Sequence, residues 1–233
     1  MRSILPILLL VSGCSSVYRI PGPLGSVGEG DSGAGMPIAA RPVPTRAVPT
    51  HAAPARGTPG QAVAQAACGF EGAHSIVVHG VKFRFDCSGM VEAAMASAGL
   101  DFDGSTRDLF ETARELGVLH RRHRPDVGDI AFFDDTYDKD GDGRYDDPLT
   151  HVAVVTRVDA DGTIGMVHLG SPGIVPLTMN LRDTETHISP TGQLLNDYLR
   201  AASSKDPARV KHLAGELWVA FGSFWKAEAV AVR

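Results

Sequence analysis

The chain is 233 residues long, 43% hydrophobic, with a formal net charge of −5. That is enough apolar material for a buried core, and the acidic balance, with no basic stripe, excludes nucleic acid as a partner. No run approaches the roughly 18 apolar residues that a membrane-spanning helix requires.

The N-terminus reads as a targeting segment. Met1-Arg2 is a short positive region, Ile4 to Val11 is a short apolar core, and Val11-Ser12-Gly13-Cys14 sets small residues before a cysteine. That order is an export signal. It resembles the bacterial lipobox, which implies removal of residues 1–13, lipid attachment to Cys14, and a place in the cell envelope with the membrane contacted through the anchor. An ordinary secretory signal that happens to include a cysteine is the other reading. Ser15-Ser16 after the cysteine leans towards the outer membrane. Residues 14–60 are rich in Pro, Gly and Ala, with Pro44, Pro49, Pro54 and Pro59 evenly spaced and almost no aromatic residues. Such a segment cannot bury enough apolar surface to offset its conformational entropy, and its prolines keep it extended. It is expected to be a disordered tether.

A folded domain is expected over residues 61–180, with a helical C-terminal extension over 181–233 packed on it. Gln61 to Cys68 is Ala-rich and predicts a first helix. Ile76-Val77-Val78 and Val81-Lys82-Phe83 are extended segments interrupted at Gly80. Asp86 is a good N-cap for an apolar helix that stops at Gly99. Ser105 to Leu116 predicts another helix, stopped by Gly117. Ile130 to Phe133, His151 to Val155, Thr163 to His168 and Ile174 to Leu177 predict strands, with Asp159-Ala160-Asp161-Gly162 as a hairpin turn. Gln193 to Ala201 and Pro207 to Trp225 read as helices, the second placing Trp218, Phe221, Phe224 and Trp225 on one core-facing stripe. Helices followed by antiparallel strands indicate an α+β domain.

Chemistry concentrates at Asp86-Cys87-Ser88-Gly89. Cys87 opens a helix, where the dipole favours thiolate over thiol. His151 and His168, on strands expected to pair, can supply a base and the group that orients it. The Cys87 amide is a candidate oxyanion donor, and Asp86 and Ser88 complete the substrate-side set.

Asp86-Cys87-Ser88-Gly89, Val127-Gly128-Asp129-Ile130-Ala131-Phe132-Phe133, His151-Val152-Ala153-Val154-Val155 and Met166-Val167-His168, in that order, resemble the NlpC/P60 family. CHAP amidases share the Cys-then-His order, but the Asp-Cys-Ser-Gly wording favours NlpC/P60. The resemblance implies a papain-like fold, a cysteine-bearing helix packed on an antiparallel sheet that carries the histidine. It also implies a cysteine peptidase acting on peptidoglycan stem peptides, with Cys87 as nucleophile, His151 as base and acid, and His168 orienting it. No cofactor is required for such chemistry. A CHAP-type amidase, or a wall-binding module without turnover, are the alternatives. Family members usually carry a Tyr shortly before the cysteine. Val77 to Arg84 has none, and His79 is the residue there that could stand in for it. Cys68 is expected to be buried and free, since a bridge to Cys87 would disable the nucleophile.

A second signal is the acidic run from Asp138 to Asp147. Asp138, Asp140 and Asp142 alternate before Gly143, as in calcium loops of the EF-hand type. Arg144 would give its backbone carbonyl, and Asp146 or Asp147 would close the shell, because Leu149 stands where the usual Glu falls. Structural calcium is expected. A solvated acidic turn is the plainer reading.

Overall fold

The computed structural model describes residues 57–227 apart from 205 and 208. The expected signal, the expected lipidation site at Cys14 and nearly all of the expected tether lie outside the described residues. Three helices come first: α1 (Pro59–Gly69), α2 (Cys87–Ser97) and α3 (Thr106–Glu115), with a small hairpin of β1 (Val77–Val78) and β2 (Val81–Lys82) between α1 and α2. The main sheet follows: β3 (Leu119–His120), β4 (Ile130–Phe133), β5 (His151–Val158), β6 (Thr163–Gly170) and β7 (Gly173–Asn180). The chain ends in a short helix α4 (Ala214–Leu217), strand β8 (Trp218–Gly222) and a 3-10 turn over Phe224–Lys226. This is the expected α+β arrangement, with a cysteine-bearing helix packed on an antiparallel sheet that carries the histidine.

Local chemistry sets the helix starts. Thr58 caps α1 with Pro59 in its first turn, and Thr58 and Gln61 exchange hydrogen bonds as a capping box. Ser105 and Asp108 do the same for α3. Asp86 caps α2 by accepting from the Gly89 amide at 2.7 Å. Gly89 has no alternative, because a Cβ there would stand 2.3 Å from the Arg84 carbonyl oxygen.

The six-stranded sheet runs β3-β8-β4-β5-β6-β7, and each neighbouring pair is antiparallel. Its central strands are buried on both faces, which is why they read as continuous apolar runs rather than alternating ones. Phe132, Val152, Val154 and Val167 pack with Met90, Val91 and Met95 of α2. Phe133, Ala153, Val155 and Met166 pack on the other face with Leu181, Ala214, Leu217 and Phe221. Each such fully buried large side chain contributes about 1.5–3 kcal/mol.

The C-terminal segment departs from expectation. Gln193 to Ala201 forms no helix, and Pro207 to Trp225 is not one long helix. The aromatic residues spaced like a helical stripe instead build β8 and the turn after it. Residues 218–222 lie between β3 and β4, where Ala131 pairs with Phe221 and Ile130 with Gly222. The expected helical extension is therefore an internal strand of the sheet together with the segment that covers its second face. The folded unit does not stop at residue 180.

One buried carboxylate ties this segment down. Asp129 is fully buried and accepts from the Asp126 amide (2.8 Å), Trp225 Nε1 (3.0 Å) and His120 Nε2 (3.1 Å). The Val127-Gly128-Asp129 turn also presses on α1, since a Cβ at Gly128 would meet Gly60 at 2.2 Å.

Candidate active site

Cys87 is the first residue of α2, half-buried, with its sulfur 3.9 Å from Thr106 Oγ1 and its side chain packed against the core cluster that contains Val152. Val152 is the residue after His151, so the nucleophile candidate lies against the head of the strand that bears the base. The first-turn amide of Cys87 is left free by the Asp86 cap, which takes Gly89.

The histidines meet as the strand register allows. Val154 pairs with Val167, which sets His168 opposite Ala153 and diagonal to His151 on one face of the sheet. His151 Nε2 and His168 Nδ1 are 2.8 Å apart, with the rings edge to face. His151 Nδ1 is then the ring nitrogen left for a reacting proton. Both residues are only 8% exposed. Burial and the neighbouring His168 push His151 down to about 3, and burial pushes His168 down to about 4. Both rings are neutral at pH 7, and one must donate to the other. Gly170 shapes the seat of His168, since a Cβ there would be 2.9 Å from its Cε1.

The thiol differs from expectation. Burial pushes Cys87 up and the Asp86 carboxylate adds to this, while Thr106 and the backbone of Val152 and Ser88 pull the other way. The positive end of α2 does not outweigh the loss of water. The resting site is a protonated thiol beside neutral imidazoles.

The substrate-side residues are engaged with one another. Ser88 Oγ donates to Asp86 Oδ1 (3.0 Å) and accepts from Arg84 Nη2 (3.2 Å), and Arg84 also bonds Glu92 and the Gly104 carbonyl. Asp86 thus acts as cap and acceptor. His79 is exposed in the β1–β2 turn with φ 50, beside Gly80 at φ 81, and no described contact joins it to Cys87. Cys68 is half-buried rather than buried and is disulfide-bonded rather than free, whereas Cys87 is free, so the two are not joined.

The loop from β4 to β5 carries the acidic run and delivers His151. Thr136 N and Thr136 Oγ1 both donate to Thr150 Oγ1 at 2.9 Å. The Asp147 amide donates to Asp135 Oδ1 (2.6 Å), and the Leu149 amide to Asp134 Oδ1 (2.7 Å). Leu149 holds a left-handed φ of 54 while buried in the core, a strained backbone two residues before the base. Asp138, Asp140 and Asp147 each bring a carboxylate oxygen to within 4.8 Å of the others, a group that could hold a cation. Asp142 instead pairs with Arg144 at 3.5 Å, and Asp146 stays outside the group.

Sequence reasoning missed Tyr137 in this loop. Its phenol is pushed up by burial and by the nearby charges of Cys87 and Asp147. Its place just before the acidic run was the available signal, but a residue fifty positions after Cys87 gives no hint of closeness.

Residues 77–169 match the CHAP domain family, a stretch that includes Cys87, His151 and His168. A solved structure from Staphylococcus aureus, described as similar to lipoprotein, NLP/P60 family, is 24% identical, with a TM-score of 0.34 over 54% of this chain. The chain spans 39% of that protein's length. No curated protein matches. Among the described residues, no helix is long and apolar enough to cross a membrane.

Proposed function

We propose that the protein is a peptidoglycan hydrolase of the CHAP and NlpC/P60 type that cuts an amide bond of the stem peptides with Cys87 as nucleophile. The observation that carries this reading is Cys87 at the start of α2, packed on the core cluster that contains Val152 of β5, with the His151–His168 pair at the head of that strand. His151 Nδ1 takes the thiol proton as Sγ bonds to the carbonyl carbon. The developing oxyanion is held by the Cys87 amide at the helix start. His151 then passes the proton to the leaving amine, and a thioester remains. Water attacks it with His151 as base, releasing the acid and restoring the thiol. His168 accepts from His151 Nε2–H throughout, which fixes the tautomer with Nδ1 unprotonated at the start.

Two bonds compete as the target. The Asp-Cys-Ser-Gly wording supports a peptide bond within the stem, and the CHAP match supports the amide between glycan and peptide as the second reading. The N-terminal export signal would place the enzyme in the cell envelope, with the tether giving reach. Structural calcium would sit on Asp138, Asp140 and Asp147, with Asp142 outside the shell unless Arg144 releases it. It would stiffen the loop that delivers His151 rather than take part in the reaction.

Wild-type and Cys87→Ala protein incubated with purified peptidoglycan, with and without calcium, test the reading. Fragments released by wild type alone support it, and their masses separate endopeptidase from amidase. If neither protein releases fragments while both sediment with the wall, the domain is a binding module.

A further inference from the structure

Three tyrosines fall among the described residues, and two are occupied. Tyr145 donates to Asp206 at 2.9 Å and lies under the Arg200 guanidinium, and Tyr198 stacks on His187 with centroids 4.7 Å apart. Tyr137 makes no hydrogen bond and no ring contact with any described residue, yet it is 50% exposed. Its backbone is not loose. Thr136, immediately before it, is buried and clamped to Thr150, the residue before His151. The next residue, Asp138, is tied to the Gly141 and Gly143 amides at 2.8 and 2.9 Å. An aromatic ring is therefore held between two fixed points, one residue past the Thr136–Thr150 clamp that adjoins His151 and four residues past Phe133, which pairs with His151, with its face and hydroxyl unused among the described residues.

We propose that Tyr137 is a substrate-positioning residue, a fixed platform on which the peptide beside the scissile amide lies while Cys87 attacks. The inference rests on the hydrolase reading of the Cys87 site. A tyrosine suits this task because its ring gives contact area with few rotatable bonds and its hydroxyl can pair with a peptide group. Its clamped backbone means that little ordering remains to be done on binding.

The test uses the full chain with Tyr137→Ala and Tyr137→Phe, and Tyr198→Ala as an exposed tyrosine on a different segment. Turnover of soluble stem-peptide fragments is measured for each, together with sedimentation on purified peptidoglycan in a Cys87→Ala background. Tyr137→Ala is expected to raise KM about tenfold with kcat changed less than about threefold, to weaken sedimentation similarly, and to leave Tm unmoved. Tyr137→Phe should keep most of the affinity, and Tyr198→Ala all of it. Unchanged KM and sedimentation in Tyr137→Ala would overturn the proposal, as would an equal loss in Tyr198→Ala. A loss confined to kcat with a lowered Tm would also overturn it, because that is a structural role. If wild type cleaves nothing but Tyr137→Ala still weakens sedimentation selectively, the hydrolase reading fails and the platform stands.

Discussion

The His151–His168 pair should make the fold acid-sensitive in a way that can be assigned to it. Both rings are neutral in the folded protein, with His151 at about 3 and His168 at about 4, against an ordinary value of 6.5. Below pH 6.5 the unfolded chain takes up these protons and the folded chain does not, so stability is complete above 6.5 and falls as pH drops towards 4. The slope approaches about 1.4 kcal/mol per pH unit for each histidine. From pH 6.5 to 5 the pair therefore removes about 3–4 kcal/mol, a large part of the roughly 5–15 kcal/mol that holds a domain. Other groups shift as well: His120 is lowered by burial and acts in the same sense, while Glu92 and Asp197 are raised by burial and oppose it. The difference between wild type and His168→Gln isolates one ring. Urea unfolding at pH 7.5, 6.5, 5.5 and 5 should show the wild-type midpoint falling more steeply, with the two slopes parting by up to about 1.4 kcal/mol per unit. Parallel slopes would refute the buried neutral pair.

Three further outcomes follow from the same geometry. Because burial raises the Cys87 thiol, alkylation by iodoacetamide should be slow at neutral pH and should rise with a midpoint above the ordinary free-thiol range of about 8.5; a midpoint below that range would restore the thiolate reading. Gly170→Ala would press a methyl on His168, 2.9 Å from its Cε1, and displace the ring that orients the base, so kcat should drop about tenfold to a hundredfold with the far-ultraviolet spectrum intact; unchanged kcat would mean that His168 does not position His151. Asp129→Ala strands the Asp126 amide, Trp225 Nε1 and His120 in a buried site, so thermal unfolding should show a loss of about 3–5 kcal/mol, and a loss under 1 kcal/mol would remove Asp129 as the anchor of the C-terminal segment.

Much of the sheet was legible because its signals are local. β5, β6 and β7 read as strands from their apolar runs, and the Asp159 to Gly162 turn read from its residue types, with Gly162 at φ 95 closing it. α3 was legible from its cap and stop alone. β8 was not, since Trp218, Phe221, Phe224 and Trp225 satisfy a helical stripe as well as they satisfy a strand followed by a tight turn. What decides between them is tertiary. Gly222 must pass where a Cβ would come within 3.0–3.2 Å of Phe224, Ala113 and Phe132, and the gap between β3 and β4 is filled by a strand from the end of the chain. No local pattern announces that insertion.

At the site, placement was legible and electrostatics was not. The motif order placed Cys87 at a helix start and the histidines on paired strands, because those positions follow from backbone periodicity. The charge state follows instead from how much water the packed side chains exclude. Alone, the α2 dipole would lower the thiol, but a half-buried sulfur next to the Asp86 carboxylate loses more solvation than the helix end returns. The consequence for chemistry is a change of order. A site poised as thiolate and imidazolium would react with any small electrophile. A site holding a neutral thiol beside a neutral His151 moves its proton only when a bound carbonyl offers the sulfur a bond to make. In the proposed reaction the substrate itself would expel water, and the amide of Cys87 would supply the compensating donor. Such a cysteine is protected from adventitious oxidation, to which a low-pKa thiol is prone.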